Sequence, residues 1–478
     1  MPKGFEVQLS LGCTPIEEVK IPTKTRSHMV ALVEALQYIY VRPEWNNRIF
    51  DLLSEKLLEG KQKTGRNGMS LWEVFVLAQV RLCMNISYDQ LHYQANYDAL
   101  LRGMLGVLPT DYSIGKQYGY QNIYDNVKLV DDELLKDINQ VIVEVGHEVF
   151  KKKEGVALRL KADSFVVETD THFPTDYNLL WDSARKCIQI ASKLQVAGWR
   201  KSGSWHKELK KRMRAVGKTI TSGGLNKEER LEKVRGSYLK KVRALETKVA
   251  DVLINLCATA TTIDHLRKQE LIYYYQMLTK HIDLVDRRLI KKETIPHSEK
   301  LFSIFQPYAE WINKGKRHPS VEIGKKLFVT SDQYNLIVDW QIGQRQADNE
   351  LTLSIAKRIH KKYAIQSFSV DKGFSDQADK ESLEEFIPEV VMSKKGKTNK
   401  AEKAVESAPE FKKLRNKHSA IESNINELEH RGLNRCLDRT WSNFNRYAGL
   451  AITAYNLHKI GRKLLQIRVE KEKTQQAA

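Results

Sequence analysis

Cysteine is scarce in this chain and badly spaced for structural chemistry. The five thiols, Cys13, Cys83, Cys187, Cys257 and Cys436, lie dozens of residues apart, with no CxxC and no Cys/His pairing at zinc spacing. A disulfide framework and a structural zinc are both excluded, and a reduced, cytoplasmic setting is expected. No stretch of 18 apolar residues occurs, which excludes an apolar membrane-spanning helix. The opening MPKGFEVQLSLGC lacks a basic segment followed by an apolar run and a small-residue cleavage site, so secretion is not expected. Internal repeats are missing, and low complexity is limited to the charged loop KKGKTNKAEKAVE.

Acid is also in short supply. Lys and Arg number 78 against 59 Asp and Glu, a net charge of +19 that points to a polyanionic partner, nucleic acid first. At 478 residues there is room for two to four domains, each with its own core.

Residues 1–27 show no sustained period and read as an arm. Residues 28–151 are helical in pattern. Ser70-Leu-Trp-Glu73 and Ser87-Tyr-Asp-Gln90 both fit a capping box, and two short helices separated by MNIS suggest a helix-turn-helix-like, DNA-binding element. A plain helical bundle fits equally, because capping boxes specify helices and not DNA contacts. From 156 the stretch VALRLKADSFVVETD alternates and reads as a strand. Residues 185–295 return to helix, with a Gly/Ser break at TSGG. KLFVTSDQ and NLIVDWQIG then read as a hairpin, 348–363 as a helix, AIQSFSVD as a buried strand, SDQADKESLEEF as a helix and PEVVMSK as a further strand. The stretch from about 409 to 470 is helical again, and 471–478 reads as a flexible tail. With 185–295 set aside, this is the element order of an RNase H-like domain. The expected fold is therefore α/β: a mixed sheet flanked by helices over 152–184 and 296–470, interrupted by a helical insertion and preceded by an all-α domain.

Phosphodiester chemistry on such a sheet needs carboxylates that converge from distant points in sequence to hold Mg²⁺, which takes oxygen ligands and keeps several waters. Asp163 lies inside an apolar strand, where a carboxylate is costly unless paired or metal-bound. Glu168, Asp170, Asp176 and Asp182 are expected at the strand's end or beyond, the last two capping or orienting the next turn and helix. Asp371 follows a buried strand at its carboxyl end, where ligand sites gather in open α/β sheets; Asp376 reads as the cap of the next helix. In LRNKHSAIESNINELEHRGLNRC, a helix would place Arg415, His418, Glu422, Asn426 and Glu429 in one polar stripe opposite Ala420, Ile421, Asn424, Ile425 and Leu428. Glu422 is the third candidate acid, with His418 and Arg415 suited to phosphate and Glu429 the runner-up; a solvated acidic face fits the same spacing.

The segments DSFVVETDTHFPTDYNLLWDS, GKRHPSVEIGKKLFV, VDKGFSD, KHSAIESNINELEHRGLNRC and AGLAITAYNLHKIGRKL together resemble, in order over residues 28–468, the DDE-type transposases of bacterial insertion sequences. The resemblance implies a catalytic and metal-binding triad of Asp163, Asp371 and Glu422 holding two Mg²⁺ ions, with Mn²⁺ able to substitute. It also implies double-stranded transposon ends and target DNA as partners, water attack at the transposon end, and then attack of the exposed 3′-hydroxyl on target. A homodimer or larger assembly is expected, since two ends are processed together. A related group carries Tyr, Arg and Lys where this chain has Arg415, His418 and Glu429, so a hairpin intermediate does not carry over.

Residues 200–243 hold 15 Lys or Arg against 4 Glu, a net of +11 that supplies more than half the chain's excess. Within it, Lys210, Lys211, Arg212 and Arg214 are expected to grip the DNA backbone, as are Lys394, Lys395 and Lys397 after the last strand. A charged face serving dimerisation or solubility is the alternative for the basic block. For the whole chain the alternatives are an RNase H-like endonuclease that never joins DNA, and an inactive DNA-binding derivative.

Overall fold

The computed structural model describes residues 13–60, 68–108, 116–194, 196, 199, 203–256, 261–313, 320–344, 346, 348–394 and 396–477. The chain forms two compact units, residues 1–170 with 324–478 and residues 171–323.

The first unit is built on β1, Leu158–Thr169. β2, Glu310–Asn313, belongs to the second unit. β3, Val321–Ser331, runs antiparallel to β1, with Asp163 opposite Val329 and Lys161 opposite Ser331. β4, Ile337–Ile342, folds back antiparallel on β3, giving the expected hairpin. β5, Ile365–Val370, lies parallel to β1 on its other side, and β6, Glu389–Met392, parallel to β5. The order β4-β3-β1-β5-β6 is thus a mixed sheet with β1 at its centre, and β7, Arg435–Cys436, pairs with the far end of β1.

Strand parity sorts the two faces. Leu160, Ala162, Phe368 and Val370 point to one face, where they pack with Leu351, Ile355 and Ile359 of helix Asp348–His360 in a continuous apolar core. Lys161, Asp163 and Ser369 point to the other. The β3–β4 turn is locked by fully buried Asp332, whose Oδ1 accepts from the amides of Tyr334 (2.8 Å) and Leu336 (3.0 Å) and whose Oδ2 meets His147 Nε2 at 2.7 Å.

In the same unit, helices His28–Tyr40, Leu71–Cys83 and Asp132–Val149 pack around the long helix Trp441–Ala477. That helix continues to Ala477, through most of the stretch read as a tail. Both expected capping boxes form, Ser70 with Glu73 and Ser87 with Gln90. Gly461 is needed for this packing: a Cβ there would sit 1.7 Å from the carbonyl oxygen of Ala31.

Buried between the same helices, Arg431 Nη2 donates to His458 Nδ1 (2.7 Å). His458 Nε2 therefore carries the hydrogen and donates to His28 Nδ1 (3.0 Å). Burial, reinforced by Arg431, pushes His458 down to about 2. A histidine held neutral in the fold opposes folding once the unfolded imidazole titrates. Stability is present in full above pH 6.5 and falls as pH drops toward 2, by at most about 1.4 kcal/mol per pH unit. Urea midpoints taken from pH 7 to pH 5 should fall more steeply in the native chain than in His458→Gln, which keeps an acceptor and a donor without a titrating ring. Parallel slopes would contradict this.

The second unit packs helices Asp176–Ala191, Gly203–Thr221, Lys227–Ile254 and Thr262–Val285 around a core that includes Cys187, Leu209, Val216, Val242, Val249 and Leu278. It includes the whole 185–295 stretch, and the helix before TSGG ends at Thr221. Among the described residues, no helix is long and apolar enough to cross a membrane.

Candidate functional site

Asp163 and Asp371 are neighbours by register. Ala162 pairs with Val370, the last residue of β5, so each next residue along the two parallel strands is an aspartate. Asp163 continues β1, whereas Asp371 lies just past the end of β5. Parity places both on the Lys161 face. Asp163 is half-buried, and its Oδ1 accepts from the amide of Ser164 at 2.7 Å. Asp371 is exposed and extended (φ −73°, ψ 164°), at the mouth of a 3₁₀ turn over Lys372–Phe374. Phe374 anchors that turn, packing edge-on against Phe328 with ring centres 4.8 Å apart. Asp376 caps helix Gln377–Glu384 through the amides of Ala378 and Asp379, as expected.

Glu422 is carried over this same face. Helix Pro409–His418 ends beside Ser419 and helix Ala420–Leu428 begins at once. The second helix buries Ile421, Asn424 and Leu428 and exposes Glu422 and Asn426, which follows the expected stripe. Asn424 clamps it to the sheet: its Nδ2 donates to Ser331 Oγ (3.1 Å), while its Oδ1 accepts from the hydroxyl of Tyr455 (2.9 Å). Ser331 lies opposite Lys161, two residues before Asp163.

His418, one turn before Glu422, joins the parts. Its Nδ1 meets Ser369 Oγ at 2.7 Å, two residues before Asp371. Burial holds its pKa below the ordinary imidazole value, against the opposing pull of Asp371 and Glu422 and with help from Lys161. The carboxylates that act on it are those of Asp371, just past β5, and of Glu422 on the helix. Glu429 instead begins the turn Glu429–Leu433.

Lys161 and Ser369 are members of this cluster that sequence reasoning missed. Lys161 is 8% exposed, and its Nζ donates to Asn335 Oδ1 at 2.8 Å. Burial lowers its pKa, opposed by Asp332. The available signal was its place two residues before Asp163 in an alternating strand.

The other acids of the 163–182 stretch separate on structural grounds, with one correction. β1 runs to Thr169, so Glu168 sits at the strand's end, and strand parity turns it to the face opposite Asp163. Helix Asp176–Ala191 is capped by Thr175, whose hydroxyl accepts from Asn178 N, and not by Asp176, which pairs with Arg288. Asp170, past the strand, pairs with Arg435 (3.0 Å). Asp182 is buried against His172 and Arg185.

The expected phosphate-gripping residues are dispersed. Arg415 is exposed on helix Pro409–His418. Lys394 pairs with Glu402 (2.6 Å) beside a cleft of about 340 Å³ lined also by Ser375, Lys380 and Phe411. Lys397 is exposed and Lys395 lies outside the described residues. In the second unit, helix Gly203–Thr221 exposes Lys211 and Arg214 and half-buries Lys210 and Arg212. Arg212 is held by Glu208 (3.0 Å) and Ser237, and Lys241 shares Glu208 (2.8 Å).

The all-oxygen donor set suits a hard divalent ion, and Mg²⁺ needs only two carboxylates besides water and phosphate. Asp163, on β1, and Asp371, just past β5, are the two carboxylates that strand parity places on one face. Among the described residues, no group of three or more His, Cys, Asp or Glu side chains is placed so that it could hold a metal ion. No family model matches the chain, and neither the curated proteins nor the solved structures compared with it contain a match.

Proposed function

We propose that the protein is a DNA transposase that binds the inverted-repeat ends of an insertion sequence, cleaves phosphodiester bonds and joins the 3′-hydroxyl ends to target DNA. The observation that carries this reading is the placement of Asp163 and Asp371 directly after the paired Ala162 and Val370 of neighbouring strands, with Glu422 on the helix above and His418 acted on by both Asp371 and Glu422. The strand order β4-β3-β1-β5-β6, with β3 antiparallel to β1, supports an RNase H-like catalytic domain. The +19 charge supports a nucleic-acid substrate.

In this reading Asp163, Asp371 and Glu422 are the residues that would hold Mg²⁺, which would supply charge stabilisation to the attacking and leaving oxygens. His418 has Nδ1 engaged by Ser369, so Nε2 is the nitrogen available to a substrate phosphate, and Arg415 is one turn further back. Because two ends must be cut and joined together, the acting form is a homodimer or larger assembly on DNA. A nuclease without strand transfer would use the same acids, and reaction products distinguish the two: joints require 3′-hydroxyl attack, whereas hydrolysis leaves breaks alone.

The basic helix of the second unit grips DNA backbone in this proposal. Lys211 and Arg214 carry more of that contact than Arg212, which is already engaged by Glu208. The double substitution Lys211→Gln, Arg214→Gln should weaken binding to any duplex sequence and reduce the slope of log K against log salt by about 2. Fluorescence anisotropy across a salt series checks it, and an unchanged slope would remove this helix from the interface.

A further inference from the structure

The two helices flanking MNIS form as expected, but the second presents little that would hold DNA. Helix Leu71–Cys83 is buried along its whole length, Asn85 makes the turn in the left-handed region (φ 50°), and helix Tyr88–Tyr97 follows. Proteins that seat a helix on a duplex fix it there with cations on the phosphates. Neither helix Tyr88–Tyr97 nor its neighbour, helix Tyr120–Val127, carries a Lys or Arg. Residues 87–128 hold 3 Lys or Arg against 4 Asp, a net of −1 within a chain of +19.

Tyrosine is what this face presents. Tyr93 is 64% exposed, Tyr97 48% and Tyr120 40%. The rings of Tyr93 and Tyr97 lie 4.9 Å apart on one helix. Tyr120 stacks parallel to Tyr124 at 6.3 Å and meets His92 edge-on across the two helices at 6.3 Å, while Tyr124 meets Tyr88 edge-on at 4.9 Å. His92 and Tyr93 are consecutive, so the rings form one patch. Aromatic rings gathered where Lys is absent are the composition of a protein interface core.

Charge and chemistry both favour a second copy of this chain as the occupant. Two chains of +19 repel each other, and least where neither carries excess positive charge. A patch that meets its own copy across a two-fold axis must also complement itself. Tyrosine does so, because its hydroxyl both donates and accepts and the edge of one ring attracts the face of another. We infer that helices Tyr88–Tyr97 and Tyr120–Val127 form the surface on which a second copy docks, the same tyrosine patch meeting itself. The inference names the surface for the two-copy assembly of the proposed function, on which it rests only for its purpose.

Sedimentation velocity of the full-length chain, free of DNA and Mg²⁺, tests it. A monomer–dimer equilibrium should appear, and raising NaCl from about 0.1 to 0.5 M should tighten it, because salt screens the repulsion between the chains. Tyr93→Ala with Tyr120→Ala should weaken self-association at least about thirtyfold, whereas Leu225→Ala, at a 93% exposed position of the second unit, should not. Hydroxyl-radical labelling of the native chain should protect Tyr93, Tyr97 and Tyr120 at dimer-forming concentration and not after dilution, a readout that needs no variant. A chain that stays monomeric, a dimer that salt loosens or that the tyrosine substitutions leave intact, or tyrosines labelled equally at both concentrations would each overturn the inference. So would a fall in the double variant's affinity for a short duplex, measured below the dimerisation range, which would assign the face to DNA. Self-association is read without DNA, so its absence would leave the acid assignment standing.

Discussion

Asp163→Ala should lower cleavage of supercoiled plasmid DNA in Mg²⁺ by roughly a thousandfold, while Asp170→Ala leaves it near the native level. The two residues are seven apart and chemically alike, so density of acid cannot separate them. Position does. Asp163 is inside β1, on the face of Lys161 and Ser369 and beside Asp371 in register. Asp170 lies past the strand and is neutralised by Arg435. Asp371→Ala and Glu422→Ala should resemble Asp163→Ala, whereas Glu429→Ala should not. DNA binding, measured by anisotropy, should survive in all of these variants because the cationic residues proposed to grip phosphate are untouched. Comparable cleavage by Asp163→Ala and Asp170→Ala would discard the acid assignment.

The second large effect concerns stability. Asp438 takes a bidentate pair from Arg81, at 2.6 and 3.0 Å, and Arg446 Nη2 is 3.6 Å away. The two guanidinium side chains are only 4% and 5% exposed, and that of Asp438 12%. Arg81 also lies 3.9 Å above the Tyr88 ring. The carboxylate therefore joins helix Leu71–Cys83 to the start of the long helix Trp441–Ala477. Asp438→Ala leaves two buried cations without their anion, and breaking such a pair costs about 3 to 5 kcal/mol. Urea denaturation should show the loss as a lower midpoint with little change in slope. Replacing Arg81 and Arg446 by Met together with Asp438→Leu should recover most of it, because the desolvation penalty disappears with all three charges. A loss below about 1 kcal/mol in Asp438→Ala, typical of an exposed pair, would show that solvent screens this site.

How far these features could be read from sequence depends on the range of the interaction behind them. The hairpin of β3 and β4, the buried strand β5 and the caps at Ser70, Ser87 and Asp376 rest on local alternation or on contacts three residues apart, and all were legible. Asp163 within a strand and Asp371 at the carboxyl end of another could be read locally, but the register that sets Ala162 beside Val370 is a property of the sheet. One local reading failed for an identifiable reason. Of the capping or orienting role read for Asp176, the cap falls to Thr175 one residue earlier, and Asp176 turns instead to Arg288, 112 positions away in the chain. The buried Arg81–Asp438 pair and the His28–His458–Arg431 chain span hundreds of positions, and no local pattern marks them.

The most direct test of the proposed function is sequencing of the products made when the full-length protein acts, in Mg²⁺, on DNA carrying its own flanking inverted repeats and a supercoiled target. The account predicts joints in which the 3′ ends of the repeats are linked covalently to target DNA, absent when Asp163→Ala is used. Unaltered DNA, or joints formed equally by Asp163→Ala, would contradict it, and breaks without joints would reduce the activity to that of a nuclease.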